Sequence, residues 1–88
     1  MTKPTPESPV VDLILYVMRQ RNWTNQVNIA YNIKKEFQRN IRDLYVSMAL
    51  NKCVDEGKLC MRKDKYGLAY EYILPSFYMT TKTDIHIV

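Results

Sequence analysis

The stretch that most constrains the fold runs from Asp43 to Leu74, DLYVSMALNKCVDEGKLCMRKDKYGLAYEYIL, because its apolar period changes at one glycine. Before Gly57, Val46, Leu50, Cys53 and Val54 recur at about 3.6 residues per turn, the buried stripe of a helix that runs to about Glu56. Gly57 supplies the left-handed residue that stops it. After Gly57 the period is 2. Asp64 and Gly67 suit the first and fourth positions of a type I turn. That turn pairs Lys63 with Leu68, Met61 with Tyr70, and Leu59 with Tyr72. Leu59, Met61, Tyr70 and Tyr72 then form one apolar face, extended by Leu74. Cys60, Arg62 and Glu71 take the other face, with Arg62 diagonal to Glu71. The segment therefore reads as a helix feeding a half-buried antiparallel hairpin, ended by Pro75.

Upstream, MTKPTPESP carries three prolines in nine residues and reads as a mobile or extended arm over residues 1–9. Ser8 offers an N-cap hydroxyl and Pro9 a preset first helical position. Val10, Leu13, Ile14, Val17 and Met18 follow at helical spacing, and Arg19, Gln20 and Arg21 close that helix before Asn22 ends it. Trp23-Thr24 is too short for an independent strand, while Thr24 or Asn25 can cap a second helix. Ile29, Ala30, Ile33 and Phe37 share one face of it, with Lys34, Lys35 and Glu36 outside. Asn40 and Asp43 are both plausible caps for the third helix. The folded domain is expected over residues 10–75. In the tail, 76–88, SFYMTT suits a helical turn and DIHIV a strand.

The chain's 88 residues suffice for one domain with a modest core. Hydrophobic residues at 47% and charged residues at 25% place it among globular rather than disordered chains. No apolar run approaches the roughly 18 residues that read as a bilayer span, and the start lacks a signal peptide's basic region and cleavage site. A cytoplasmic location is the expectation, with no membrane partner. Cys53 and Cys60 are too few for a disulfide framework and match no zinc or redox spacing, so they read as buried or half-buried thiols. His86 is the lone histidine and Gly57 and Gly67 are the only glycines, which leaves neither a catalytic constellation nor a phosphate loop. The chain reads as a non-enzyme without cofactor or metal.

Three helices followed by a two-stranded antiparallel hairpin form an α+β order that resembles the winged helix-turn-helix family. The resemblance covers about residues 10–74. It is strongest in VSMALNKCVDEGKL, with IAYNIKKEF similar to the element that precedes it. The separation of Ala30 from Val46 is similar to the penicillinase-repressor type, in which an apolar plug, here Ile41, precedes the recognition helix. The resemblance implies sequence-specific binding of double-stranded DNA by a small transcriptional regulator, a repressor, with its third helix in the major groove.

On that reading the third helix turns Arg42, Leu44, Tyr45, Ser47, Met48 and Asn51 away from the body. Asn51 matches adenine, Arg42 guanine or a phosphate, and Met48 a thymine methyl, while Tyr45 and Ser47 can donate to phosphates or base edges. Leu44, Tyr45 and Met48 also share a stripe with Ile41, so packing on the second helix is their alternative. Lys34, Lys35, Arg39 and Lys52, with Arg62, Lys63 and Lys65 of the basic hairpin, would meet the phosphate backbone as a flank and a wing. The formal charge of +4 fits an anionic partner without requiring one. A different reading has the same fold serving as a protein–protein interaction module or inhibitor without DNA binding, and the seven tyrosines suit it. A homodimer through the first helix or the tail is expected, because one such domain buries too little DNA surface for tight specific binding. Phe77, Tyr78 and Met79, or residues 84–88, would then make the contact; the alternative is a tail that folds back on the first helix or is disordered.

Overall fold

Helix α1 (Val10–Val17) buries Leu13, Ile14 and Val17, and its stripe continues into Met18, which is also fully buried. The fold is a computed structural model, and the structure describes residues 2–79. Ser8 was expected to cap α1, but the N-cap is Pro9 and no side chain caps it. The Ser8 hydroxyl accepts instead from the Thr5 N–H at 2.9 Å. The helix also stops earlier than the sequence suggests. Arg19 Nη1 donates to the Tyr16 carbonyl and Arg21 Nε to the Val17 carbonyl, both at 2.8 Å, so the two cations close α1 from beyond its end.

Helix α2 (Gln26–Phe37) is capped by Asn25, whose Oδ1 accepts from the Asn28 N–H at 2.9 Å. It buries Ile29, Ile33 and Phe37 and stops at Gln38, which takes the left-handed conformation at φ 55°. Helix α3 (Asp43–Asp55) has Arg42 at its N-cap rather than Asn40 or Asp43. Asp43 sits inside the first turn, where its charge complements the helix dipole. Gln26 Nε2 donates to the Asp43 carbonyl at 3.0 Å and ties the starts of α2 and α3 together. The buried stripe of α3 is Val46, Ala49, Leu50 and Cys53, with Val54 half-buried. Gly57, at φ 73°, completes a Schellman ending in which the Lys58 N–H reaches the Cys53 carbonyl at 2.7 Å and the Gly57 N–H reaches Val54 at 3.0 Å.

The sheet has three antiparallel strands where a two-stranded hairpin was expected. Strand β1 (Thr24–Asn25) pairs Thr24 with Tyr72 and Asn25 with Glu71, giving the order β1-β3-β2 with β2 at Cys60–Lys63 and β3 at Tyr70–Ile73. A two-residue strand carries no periodic signal, and it exists only because β3 offers it an edge. The hairpin register also departs from expectation: Lys63 faces Tyr70, Arg62 faces Glu71, and Met61 faces Tyr72. The reason is the Asp64 carboxylate. Its Oδ1 accepts from both the Tyr66 and Leu68 N–H groups at 3.0 Å, and pairing resumes only where the Asp64 N–H meets the Ala69 carbonyl at 2.8 Å. A shift of two residues keeps each side chain on its predicted face.

Burial along those faces differs from the simple alternation. Leu59 and Tyr72 are buried and Leu74 is half-buried, but Tyr70 is exposed toward the hairpin tip and Met61, opposite Tyr72, is exposed on the outer strand β2. Ile73, on the opposite face, is fully buried, so the base of the sheet is covered on both sides. The main core joins α1, α2 and α3 with Leu59 and Tyr72, and Ile41 is partly buried against it. A fourth helical turn, α4, spans 75–79. It brings the Tyr78 ring edge-on to Trp23 at 5.8 Å. Residues 84–88, named above as a dimer contact, lie outside the described residues. Among the described residues, no helix is long and apolar enough to cross a membrane.

Candidate nucleic-acid interface

The stripe that α3 buries determines the face it leaves outside. Leu44, Tyr45 and Met48 are 65%, 53% and 58% exposed, which removes the alternative that they pack on α2. Arg42, Asn51 and Lys52 are exposed beside them, and Ser47 is half-buried. The outward face thus combines three large apolar side chains with an amide and two cations. Arg42, at the N-cap, sits at one end of this face, and Asn51 and Lys52 lie toward the other.

The flanking cations do not form one cluster. Arg39, Arg42 and Lys52 line an open groove between the start of α1 and α3, together with Tyr45 and Met48. Lys35 stands elsewhere, at a small cleft shared with Arg19, Arg21 and Asn32. Lys34 and Lys35 are exposed in the last turn of α2, where they also complement the helix dipole. Arg39 holds the N-terminal arm in place, its Nη1 donating to the Pro6 carbonyl at 2.9 Å and the Ser8 carbonyl at 2.7 Å. Lys3 adds an exposed ion pair with Glu36 at 3.1 Å, so residues 3–8 are held along the end of α2.

On the hairpin the three cations differ in freedom. Arg62 Nε donates to Glu71 Oε1 at 3.1 Å, and its guanidinium lies 4.1 Å from the centre of the Trp23 ring. Lys63 and Lys65 are exposed, and neither is in an ion pair among the described residues. Lys65 Nζ stands 5.0 Å from the ring of Tyr66, which with Leu68 makes an exposed apolar tip. The spacing of apolar residues assigns Trp23 no role. Its isolation as the single tryptophan between two helices is the one signal the sequence offers for it.

Among the described residues, no three His, Cys, Asp or Glu side chains stand together as a metal site. Cys53 and Cys60 are free thiols, and burial pushes the Cys53 thiol up from its ordinary value, with Lys58 pulling the other way. The outer face of α3 exposes amide, phenol and cation groups beside apolar side chains. No family model, curated protein or solved structure matches this chain.

Proposed function

We propose that the protein is a winged helix-turn-helix regulator that binds double-stranded DNA in a sequence-specific way and acts as a small repressor. The observation that carries this reading is the uncovered outer face of α3, with Arg42, Tyr45, Met48, Asn51 and Lys52 exposed while Val46, Leu50 and Cys53 anchor the other side. The order helix, strand, two helices, hairpin supports it, as does the sheet order β1-β3-β2 with the hairpin as the wing. In this reading α3 enters the major groove, Asn51 and Arg42 read base edges, and Lys63 and Lys65 neutralise phosphates. Arg62 stiffens the wing rather than reaching for a phosphate, because Glu71 and Trp23 already engage it. A homodimer acting in the cytoplasm completes the proposal, since one such domain buries little DNA surface alone.

The test is a titration of the full chain against duplex DNA fragments at two or more salt concentrations. A DNA-binding protein loses affinity steeply as salt rises, and a few fragments stand out above the rest. Weak binding that is indifferent to sequence at every salt concentration would reject the reading. One observation favours a second function, a protein-interaction module: Leu44, Tyr45 and Met48 stand exposed together on the outer face of α3.

A further inference from the structure

The groove between the start of α1 and α3 has a volume of about 670 Å³, and apolar side chains of Val10, Val11, Ile41, Tyr45, Met48 and Ala49 contribute to its lining. Three cations, Arg39, Arg42 and Lys52, join them, and no carboxylate lines the groove among the described residues. Arg39 is partly engaged by the arm, but Arg42 and Lys52 are exposed and in no ion pair among the described residues. We propose that this groove is a docking site for an acidic amphipathic helix of a partner protein, whose apolar side chains fill the floor while its carboxylates meet Arg42 and Lys52.

The chemistry decides between occupants. A phosphodiester backbone would satisfy the cations but leave most of the apolar floor unfilled, because the thymine methyls that DNA offers to apolar side chains lie on base edges inside the major groove and not along the backbone. A small molecule would be poorly enclosed, since ligand clefts bury most of the ligand and this groove is open along its length. A helix with anchors at i, i+3, i+4 and i+7 presents a continuous apolar stripe to such a groove, and acidic flanks supply the complementary charge. Tyr45 and Met48 line the groove and also belong to the outward face of α3. The proposal stands whether or not α3 meets DNA.

The test uses the full chain and a labelled peptide of about 20 residues, beyond the length at which isolated helices are only marginal, with Leu and Phe on one face and Glu on the flanks. A scrambled peptide of identical composition is the control, and fluorescence anisotropy reads both. Two variants probe the site. Val11→Asp adds a carboxylate in the first turn of α1, where the helix dipole tolerates it. Lys52→Glu reverses an exposed charge on the rim and keeps the test decisive if Val11→Asp fails to fold. The amphipathic peptide is expected to bind at least tenfold more tightly than its scramble and to lose at least tenfold with each folded variant. Equal binding of the two peptides, or binding unmoved by both variants, overturns the proposal. So does a result in which Val11→Asp weakens a duplex DNA and leaves the peptide unaffected, because the groove would then belong to the nucleic-acid surface.

Discussion

The guanidinium of Arg62 lies 4.1 Å from the centre of the Trp23 ring while its Nε bonds Glu71 at 3.1 Å. One side chain thus joins β2, β3 and the segment leading into β1. The far edge of that arrangement is Tyr78, edge-on to the same tryptophan. The base of the hairpin is fastened to the body on the face opposite Tyr72, and its tip remains free.

Removing that fastening has a measurable cost. Arg62→Ala should destabilise the fold by about 1 kcal/mol, the combined scale of an exposed cation–π contact and a surface ion pair. Trp23 fluorescence should shift with it, because the tryptophan is unique in the chain. Urea unfolding followed by that emission checks both, and Arg62→Lys should recover only part of the loss, since an ammonium cannot stack as a planar guanidinium does.

The core makes a larger demand. Leu50 is fully buried in α3 against α1 and α2, so Leu50→Ala should cost about 2–5 kcal/mol. A shift in the denaturation midpoint equivalent to less than about 0.5 kcal/mol, the usual scale of surface changes, would contradict the phase of α3.

Much of this architecture was legible in the sequence. The stripe of α3 and its stop at Gly57 follow from spacing and from a left-handed residue, both local properties. The outer face of α3 was legible as the complement of that stripe. The hairpin register was not, because one carboxylate, that of Asp64, gathers two backbone N–H groups and lengthens the loop. Strand β1, the burial of Ile73 and the engagement of Arg39 and Arg62 all depend on partners distant in sequence, and no local period encodes them.

If the protein binds DNA as proposed, reading and holding should separate. Asn51→Ala and Arg42→Ala should each cost about 1–3 kcal/mol on the preferred fragment and much less on random duplex. Parallel titrations of the two DNAs give the comparison, and equal losses on both would assign these residues to the backbone alone.

On the same proposal, the hairpin should contribute charge rather than sequence. Lys63 and Lys65 together changed to Ala should weaken binding to every fragment and flatten the slope of log K against log salt by up to ~2. Arg62→Ala should change that slope less, because Arg62 is already paired with Glu71. Folding should hardly respond to the double change, as both lysines are exposed.

Cys53 links stability to alkaline pH. Burial holds its thiol above the ordinary value of 9.0 in the folded state, so the unfolded chain releases this proton first. The folded state then binds more protons in that range, and stability falls as pH rises. The contribution of Cys53 is fully present below about pH 9 and is lost as pH climbs through the raised folded value. Urea midpoints from about pH 8 to about pH 10 should therefore decline less in Cys53→Ala than in the parent chain. Tyr72, whose burial also raises its hydroxyl above 10.0, leaves a residual decline at the upper end. In thiol labelling at neutral pH, Cys60 should react well before Cys53, which is fully buried.

The two-residue strand β1 has a kinetic consequence. The β2–β3 hairpin closes over a short loop and forms on its own schedule, whereas Thr24 finds Tyr72 only after α2, α3 and the hairpin have been brought together. Strand β1 should thus be the last piece of the sheet to form and the first to leave. A conservative substitution at Thr24 should speed unfolding and leave the folding rate nearly unchanged, with a φ-value near zero in stopped-flow chevrons, whereas substitutions at Leu50 should slow folding itself.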